Sequence, residues 1–311
     1  MKTIHFFGEC MMELKATSRD TMSKSFAGDV YNSAVYLKRC FADIDTSVVT
    51  TVGQDSISND MLARCDEEHI NTQFVFRHPS KTLGVYLIET DDQGERSFVY
   101  WRSDSAARQT MQFISDEVID ALQTNDMFFF SGIPLAIMSD AHRAAFWAFL
   151  EKIKQRGLTI VFDPNYRSAL WENKAHAIAE FEQALSVADI ALPGIEDFET
   201  LYDFRSSDDV VTFCKSKGVK DVIVKNGPAS VVTSIDDVVI THPITPVTNV
   251  VDTTSAGDAF NGAFLGARLS DYSVRDAVNF AADAAATVIQ FPGAIAPKDA
   301  FMRTLRQSHS N

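Results

Sequence analysis

The run Val251-Asp252-Thr253-Thr254-Ser255-Ala256-Gly257-Asp258-Ala259-Phe260 sets two carboxylates, three hydroxyls and several small residues between two apolar segments. The first, Val247–Val251, reads as a strand and the second, Ala259–Leu269, as a helix. A helix N-terminus carries unpaired N–H groups and the positive end of the dipole, so it attracts anions. Small residues let a phosphate approach those groups closely. An acid beside such a hole can take the proton of an attacking hydroxyl. Together these point to phosphoryl transfer. The same residues also suit an N-capped helix with an acid in its first turn, and the segment alone leaves both readings open.

The surrounding pattern supplies a frame. Apolar runs at Ile4–Phe7, Thr46–Val52, Met127–Phe130, Leu158–Phe162, Asp189–Leu192 and Val222–Lys225 read as strands. They alternate with helix-like runs at Val30–Phe41, Ile57–Glu68, Asp140–Gln155, Ala175–Val187 and Asp208–Lys217, which predicts an α/β fold with a mostly parallel sheet covered on both faces. Ligands of such sheets bind beyond the carboxyl ends of the strands. There, Phe7 gives way to Gly8-Glu9, and Phe162 to Asp163-Pro164-Asn165-Tyr166-Arg167. Val224 gives way to Lys225-Asn226-Gly227-Pro228-Ala229-Ser230, and Val251 to the opening segment. Neither G-x-G-x-x-G nor the P-loop pattern occurs, so a phosphate site must use another anion hole.

One region departs from the alternation. Gly84–Thr90 and Glu95–Arg102 read as a hairpin turning through Asp91-Asp92-Gln93-Gly94. With Asp92-Gln93-Gly94 as the loop and Gly94 left-handed, Asp91 faces Glu95, Tyr86 faces Tyr100, and Arg102 shares their side of the strand. That face suits a lid over a polar ligand, or an ordinary edge hairpin.

The net charge of −14 and the lack of a basic run argue against nucleic acid as a partner. Cys10, Cys40, Cys65 and Cys214 lack metal-ligand spacing and read as thiols of a reducing compartment. No run reaches membrane-spanning length, and the first residues do not read as a signal peptide, so a cytoplasmic protein is expected.

Asp252 to Asp258 resembles the D-T-x-G-A-G-D signature of the PfkB, or ribokinase-like, carbohydrate kinases, and Ala27-Gly28-Asp29-Val30-Tyr31-Asn32 resembles their G-G-x-x-x-N motif. Lys225-Asn226-Gly227 falls at the family's K-x-G loop, and the likeness spans essentially the whole chain. Within the family it is strongest to kinases of 2-keto-3-deoxygluconate. It is carried by Gly8-Glu9-Cys10-Met11-Met12-Glu13-Leu14, by Tyr86–Thr90, and by the stretch from Gly94-Glu95-Arg96 to Tyr100-Trp101-Arg102. Asn165-Tyr166-Arg167, Val288-Ile289-Gln290 and Gly293-Ala294-Ile295 carry it too.

The resemblance implies one three-layer domain over residues 1–311, with a small β lid contributed mainly by about 9–28 and 72–105. It implies transfer from ATP, with Mg²⁺, to the carbon-6 hydroxyl of a sugar acid. Asp258 is the implied base, and the N–H groups of Ser255, Ala256, Gly257 and Asp258 the implied anion hole. Gly28, Asp29 and Asn32 would bind hydroxyls, while Tyr86, Tyr100 and Arg102 would hold the acid end. Arg167 would bridge phosphoryl group and substrate. Asn165, Lys225, Gly227 and Ser230 would lie along the nucleotide, and Asp252 would serve a monovalent cation such as K⁺. Pairing of lid strands between subunits would make a homo-oligomer. A same-fold kinase for ribose, fructose or adenosine, or a non-catalytic sugar-acid binder, stands as the alternative. The sequence departs from the family pattern at Ser255 and Ala27, each in place of Gly. It also departs at Gly194-Ile195-Glu196-Asp197, where N-x-x-E would fall; Glu196 is the nearest substitute there.

Overall fold

The computed structural model describes residues 2–18, 20–90, 96–123 and 126–309. The chain begins β1 (Thr3–Phe7), β2 (Met11–Ser18), β3 (Thr21–Ala27), α1 (Asp29–Cys40), β4 (Asp45–Val52), α2 (Ser56–Glu67), β5 (Val75–Arg77), β6 (Gly84–Thr90) and β7 (Arg96–Trp101). It continues through α3 (Asp116–Ala121), β8 (Met127–Ser131), α4 (Gly132–Ile137), α5 (Asp140–Gln155), β9 (Thr159–Asp163), α6 (Lys174–Val187), β10 (Ile190–Ala191), α7 (Ile195–Tyr202) and α8 (Ser207–Ser216). Then follow β11 (Asp221–Asn226), β12 (Ser230–Ile235), β13 (Val238–Pro243), α9 (Ala256–Leu269), α10 (Val274–Val288) and α11 (Lys298–His309).

Nine strands form the main sheet in the order β13-β12-β11-β10-β9-β8-β1-β4-β5, parallel from β11 to β5 and antiparallel across β11, β12 and β13. Alternation along each strand sends apolar side chains to both faces. Ile4, Phe6 and Phe129 join the core beneath α1, α9 and α10, whereas Phe7, Phe128 and Phe130 join the core beneath α5, α6 and α7. The result is three layers, α/β/α. Ser139 caps α5 as expected, accepting the His142 N–H at 3.3 Å.

The second sheet has four strands in the order β3-β2-β6-β7. Its register places Tyr86 opposite Tyr100, as the hairpin pattern predicts. The predicted turn, with Asp91 facing Glu95 and Gly94 left-handed, lies outside the described residues. Val75–Arg77, inside the span expected for the lid, pairs with β4 in the main sheet.

Two expectations near the opening segment are corrected. Val247–Val251 is not a strand: the Val251 and Asp252 N–H groups both donate to the Ile289 carbonyl, at 2.8 and 3.0 Å, and not to a sheet neighbour. Its β-branched residues mimic a strand, but Val247 and Val250 face a cleft described below. The sheet ends in the hairpin of β12 and β13, which the sequence reading missed. The helix also begins earlier than predicted, at Ala256.

Candidate active site

Helix α9 is placed by its glycines. A Cβ at Gly262 would lie 2.1 Å from the Ser33 carbonyl oxygen, so only glycine lets α9 press against α1. That contact brings Asp258, in the first turn of α9, to Asn32 on α1, whose Nδ2 donates to Asp258 Oδ2 at 2.8 Å. Asp258 is buried. Its carboxyl is pushed up to about 7, by burial first and then by Asp29 and Asp163, while Asn32 and Arg167 pull it back. An acid poised there is ionised often enough at neutral pH to accept a proton, and basic enough to hold it.

Ser255 caps α9 with φ −121°, backbone that any residue adopts, so glycine is not required here. Its hydroxyl donates to the Ala294 carbonyl at 2.5 Å, turned away from the first-turn N–H groups of Ala256, Gly257 and Asp258. Tyr36 donates to the same carbonyl at 2.8 Å. Asp252 fixes the neighbouring loop. Its Oδ1 accepts from the Thr254 N–H and hydroxyl at 3.0 and 2.5 Å, and its Oδ2 from the Gly293 N–H at 2.7 Å.

A cleft of about 610 Å³ opens beside this turn. Its polar lining includes Asp163, Asn165, Arg167, Glu196, Asp197 and Lys225, with Gly257 and Asp258. Its apolar lining includes Val231, Ile244, Val247, Phe260, Ala285 and Ile289. Such a cavity suits a ligand with a flat apolar part and an anionic tail. Gly227 lines it with φ +49°, a left-handed position that favours glycine. Ser230, expected along the cleft, is not among the residues that line it and accepts from Asn226 at 3.4 Å.

Within the polar lining, Lys225 Nζ donates to Asp163 Oδ2 at 3.1 Å and to Asn261 Oδ1 at 3.0 Å. Asn261 Nδ2 closes the triangle on Asp163 Oδ2 at 2.6 Å. A Cβ on Gly257 would sit 3.8 Å from this ammonium, so a fixed cation stands beside the helix N-terminus. Sequence reasoning found Lys225 but gave Asp163 and Asn261 no role; the Asp closing β9 was the available signal. Asp163 Oδ1 is buried without a partner. Asp197 is pushed up to about 7 by withdrawal from water and by Asp163, against Arg167, Lys225 and the Tyr166 N–H. Arg167 is exposed at the cleft wall.

The residues expected around a sugar acid are brought together, with partners the sequence did not announce. Asp29 Oδ2 accepts from Ser131 and, at 2.9 Å, from Asn165 Nδ2. Gly28 has φ +144°, and a Cβ there would meet the Glu9 carbonyl oxygen at 2.3 Å. Tyr86 donates to Glu13, which also accepts from Ser25 at 2.8 Å. Arg102 donates from Nη2 to Glu9 and lies over the Tyr100 ring, 5.8 Å from its centroid. Tyr86 and Arg102 are therefore already engaged by two buried acids, and Tyr100 is half exposed.

Comparison with known proteins agrees with this geometry. The model of the pfkB family of carbohydrate kinases matches residues 1–300. A 2-dehydro-3-deoxygluconokinase of Dickeya dadantii is 36% identical over 305 residues, covering 96% of this chain and 98% of that protein. One from Haemophilus influenzae is 38% identical over 306 residues, covering 96% of each. Among solved structures, aminoimidazole riboside kinase from Salmonella enterica superposes with a TM-score of 0.85 at 18% identity, over the whole of both chains. A 2-dehydro-3-deoxygluconokinase from Thermotoga maritima gives 0.82 at 19% identity, over 98% of this chain and 100% of that one. The structural matches establish a ribokinase-like fold, and the sequence matches go further: this chain belongs to the pfkB family of carbohydrate kinases.

Proposed function

We propose that the protein transfers the γ-phosphoryl group of ATP to the carbon-6 hydroxyl of 2-keto-3-deoxygluconate. The observation that carries the reading is Asp258: a buried acid in the first turn of α9, lining the cleft and accepting from Asn32 on α1 at 2.8 Å.

The apolar lining of the cleft would take the adenine, and Arg167, Lys225 and the N–H groups near Gly257 would hold the phosphates. Asp258 accepts the hydroxyl proton as the carbon-6 oxygen bonds to the γ-phosphorus and the bond from that phosphorus to the bridging oxygen breaks, releasing ADP. The N–H groups of Ala256, Gly257 and Asp258 meet the negative charge that develops on the transferred group. Lys225, held by Asp163 and Asn261, offers a charge that needs no reorientation. Among the described residues no cluster of three or more His, Cys, Asp or Glu side chains is placed to hold a metal. Asp163, whose Oδ1 has no hydrogen-bond partner, would help hold magnesium, which when bound would neutralise charge on the nucleotide phosphates. Both oxygens of Asp252 accept hydrogen bonds from Thr254 and Gly293, so Asp252 positions that loop and would present it to a monovalent cation.

Tyr100 and Arg102 recognise the acid end from the smaller sheet, since a carboxylate calls for charged and hydroxyl donors that a neutral sugar does not need. Phe98, Val99, Tyr100 and Trp101 are exposed on the edge strand β7, which suits pairing with a second copy; light scattering at a monomer mass overturns that part.

A substrate panel with ATP and Mg²⁺ tests the whole reading. We expect kcat/KM for 2-keto-3-deoxygluconate to exceed that for fructose, ribose and adenosine. Preference for any neutral acceptor sinks it.

A further inference from the structure

We propose that Glu9 is a positioning residue that fixes Arg102 for recognition of the substrate's acid end, and that it does so because positions 28 and 84 carry no side chain. The inference rests on the sugar-acid reading and names a residue to which that reading gives no part.

Glu9 follows β1 and is 1% exposed. Its backbone and its carboxylate meet two different glycines, Gly28 and Gly84. Its carbonyl oxygen lies where a Cβ of Gly28 would be, 2.3 Å away, at the residue that caps α1 just before Asp29. Its carboxylate reaches across to the smaller sheet, where Oε2 accepts from Arg102 Nη2. The crossing uses the space above Gly84: a Cβ there would lie 2.5 Å from Glu9 Oε1 and 3.2 Å from Arg102 Cβ. Any larger residue at 84 displaces the carboxylate.

The ion pair is buried on both sides, and only part of it is closed. Glu9 Oε1 and Arg102 Nε are both buried and without hydrogen-bond partners. A protein optimised for stability would close the fork or replace it with apolar side chains, because half-satisfied buried pairs cost free energy. Arg102 has five N–H donors, and Glu9 takes one corner. The guanidinium is thus held over Tyr100 with its Nε–H left unpaired. Prior orientation lowers the entropy lost when the substrate carboxylate docks. The charge balance matters as well: Arg102 without Glu9 is an unneutralised buried cation, open to capture by any small anion.

The experiment is a double-mutant cycle on the full-length protein, with KM measured for 2-keto-3-deoxygluconate, for fructose and for ATP. We expect Glu9→Ala to raise the sugar-acid KM by roughly tenfold or more, the scale of a lost buried charge-assisted hydrogen bond. We expect kcat and the KM for ATP and for fructose to move by less than about twofold, since those steps do not use the interaction. Glu9→Gln, which keeps an acceptor of the same shape, recovers a large part of the loss. In an Arg102→Ala background Glu9→Ala adds nothing. An unchanged sugar-acid KM in Glu9→Ala overturns the inference. So does an effect that persists undiminished in the Arg102→Ala background, or one that raises all three KM values together. If Arg102→Ala itself leaves the sugar-acid KM unchanged, the sugar-acid reading of the lid fails instead, a different result from Glu9 failing alone.

Discussion

The main sheet buries polar clusters near both ends of its strands, and they have opposite characters. Toward the amino ends, His5 on β1 bridges Ser47 on β4 and Asp126 just before β8, at 2.6 and 3.1 Å. These are the residue types of a hydrolytic triad, yet none of the three is among the buried groups lacking a partner, and none lines the described cleft. Toward the carboxyl ends stand Asp163, Lys225 and Asn261, and next to them Asn32 and Asp258. There Asp163 Oδ1, on a residue lining the cleft, and Asn32 Oδ1, on the partner of Asp258, are buried without hydrogen bonds. Residue types do not separate a structural knot from a site. Unfilled hydrogen-bonding capacity facing a cavity does, because burial without a partner persists only where something else is gained.

The two ends also respond to pH with opposite sign. Asp126 is held below its ordinary value: burial works to raise it, but hydrogen bonds from His5 and the Gln123 N–H prevail. The stability it contributes is present above the unfolded carboxylate pKa, about 3.9, and is lost as pH falls through its lower folded value. Asp258 and Asp197 sit at about 7 in the folded chain. Their contribution is full below about 3.9 and is lost as pH rises toward 7.

The largest separation is expected from Asp163→Asn. It should lower kcat/KM by about 10² or more, the scale of removing one preorganised charged group from a transition-state site. Its melting temperature should move less than that of the variant at the other end; if it unfolds more readily than that variant, Asp163 belongs with the structural cluster. Next is Asp126→Ala, which leaves the buried His5 without its acid and should cost about 1–3 kcal/mol. Melting should fall by a few degrees per kcal/mol while kcat and KM of the folded enzyme hold. A kinetic loss without a melting shift would mean that the amino-end cluster is functional after all. The smallest effect is expected of Asp197→Asn, which should raise stability slightly above about pH 7 by removing a carboxylate that is costly to ionise there. A neutral-pH melting temperature below the wild type contradicts that assignment.

The sequence made much of this legible. Helical periodicity located α1 and a capping serine located α5 within a residue, and Tyr86 pairs with Tyr100 as the expected hairpin register has it. What it missed has physical causes. The run Val247–Val251 is apolar because it walls a ligand cleft, and strand propensity cannot distinguish that from burial in a sheet. Ser255 looked like an intrusion into an anion hole, but its hydroxyl is drawn to Ala294, 39 residues away, which no local pattern announces. Glu9 and Glu13 stood in quoted motifs, yet their partners Arg102 and Tyr86 are brought to them by a parallel strand pair of high sequence separation. Asp163 and Asn261 likewise acquire meaning only from Lys225 between them.

The central claim is that Asp258 is the base, and the pH dependence of kcat/KM tests it most directly. In the wild type, activity should climb from about pH 5 and level off above an apparent pKa near 7, because the base works only when ionised. Asp197→Asn should keep that limb. Asp258→Asn, confirmed folded, should lose roughly 10²–10⁴ in rate and leave a residue of activity without the limb. Near-normal turnover in Asp258→Asn, or a limb that survives in it, contradicts the account.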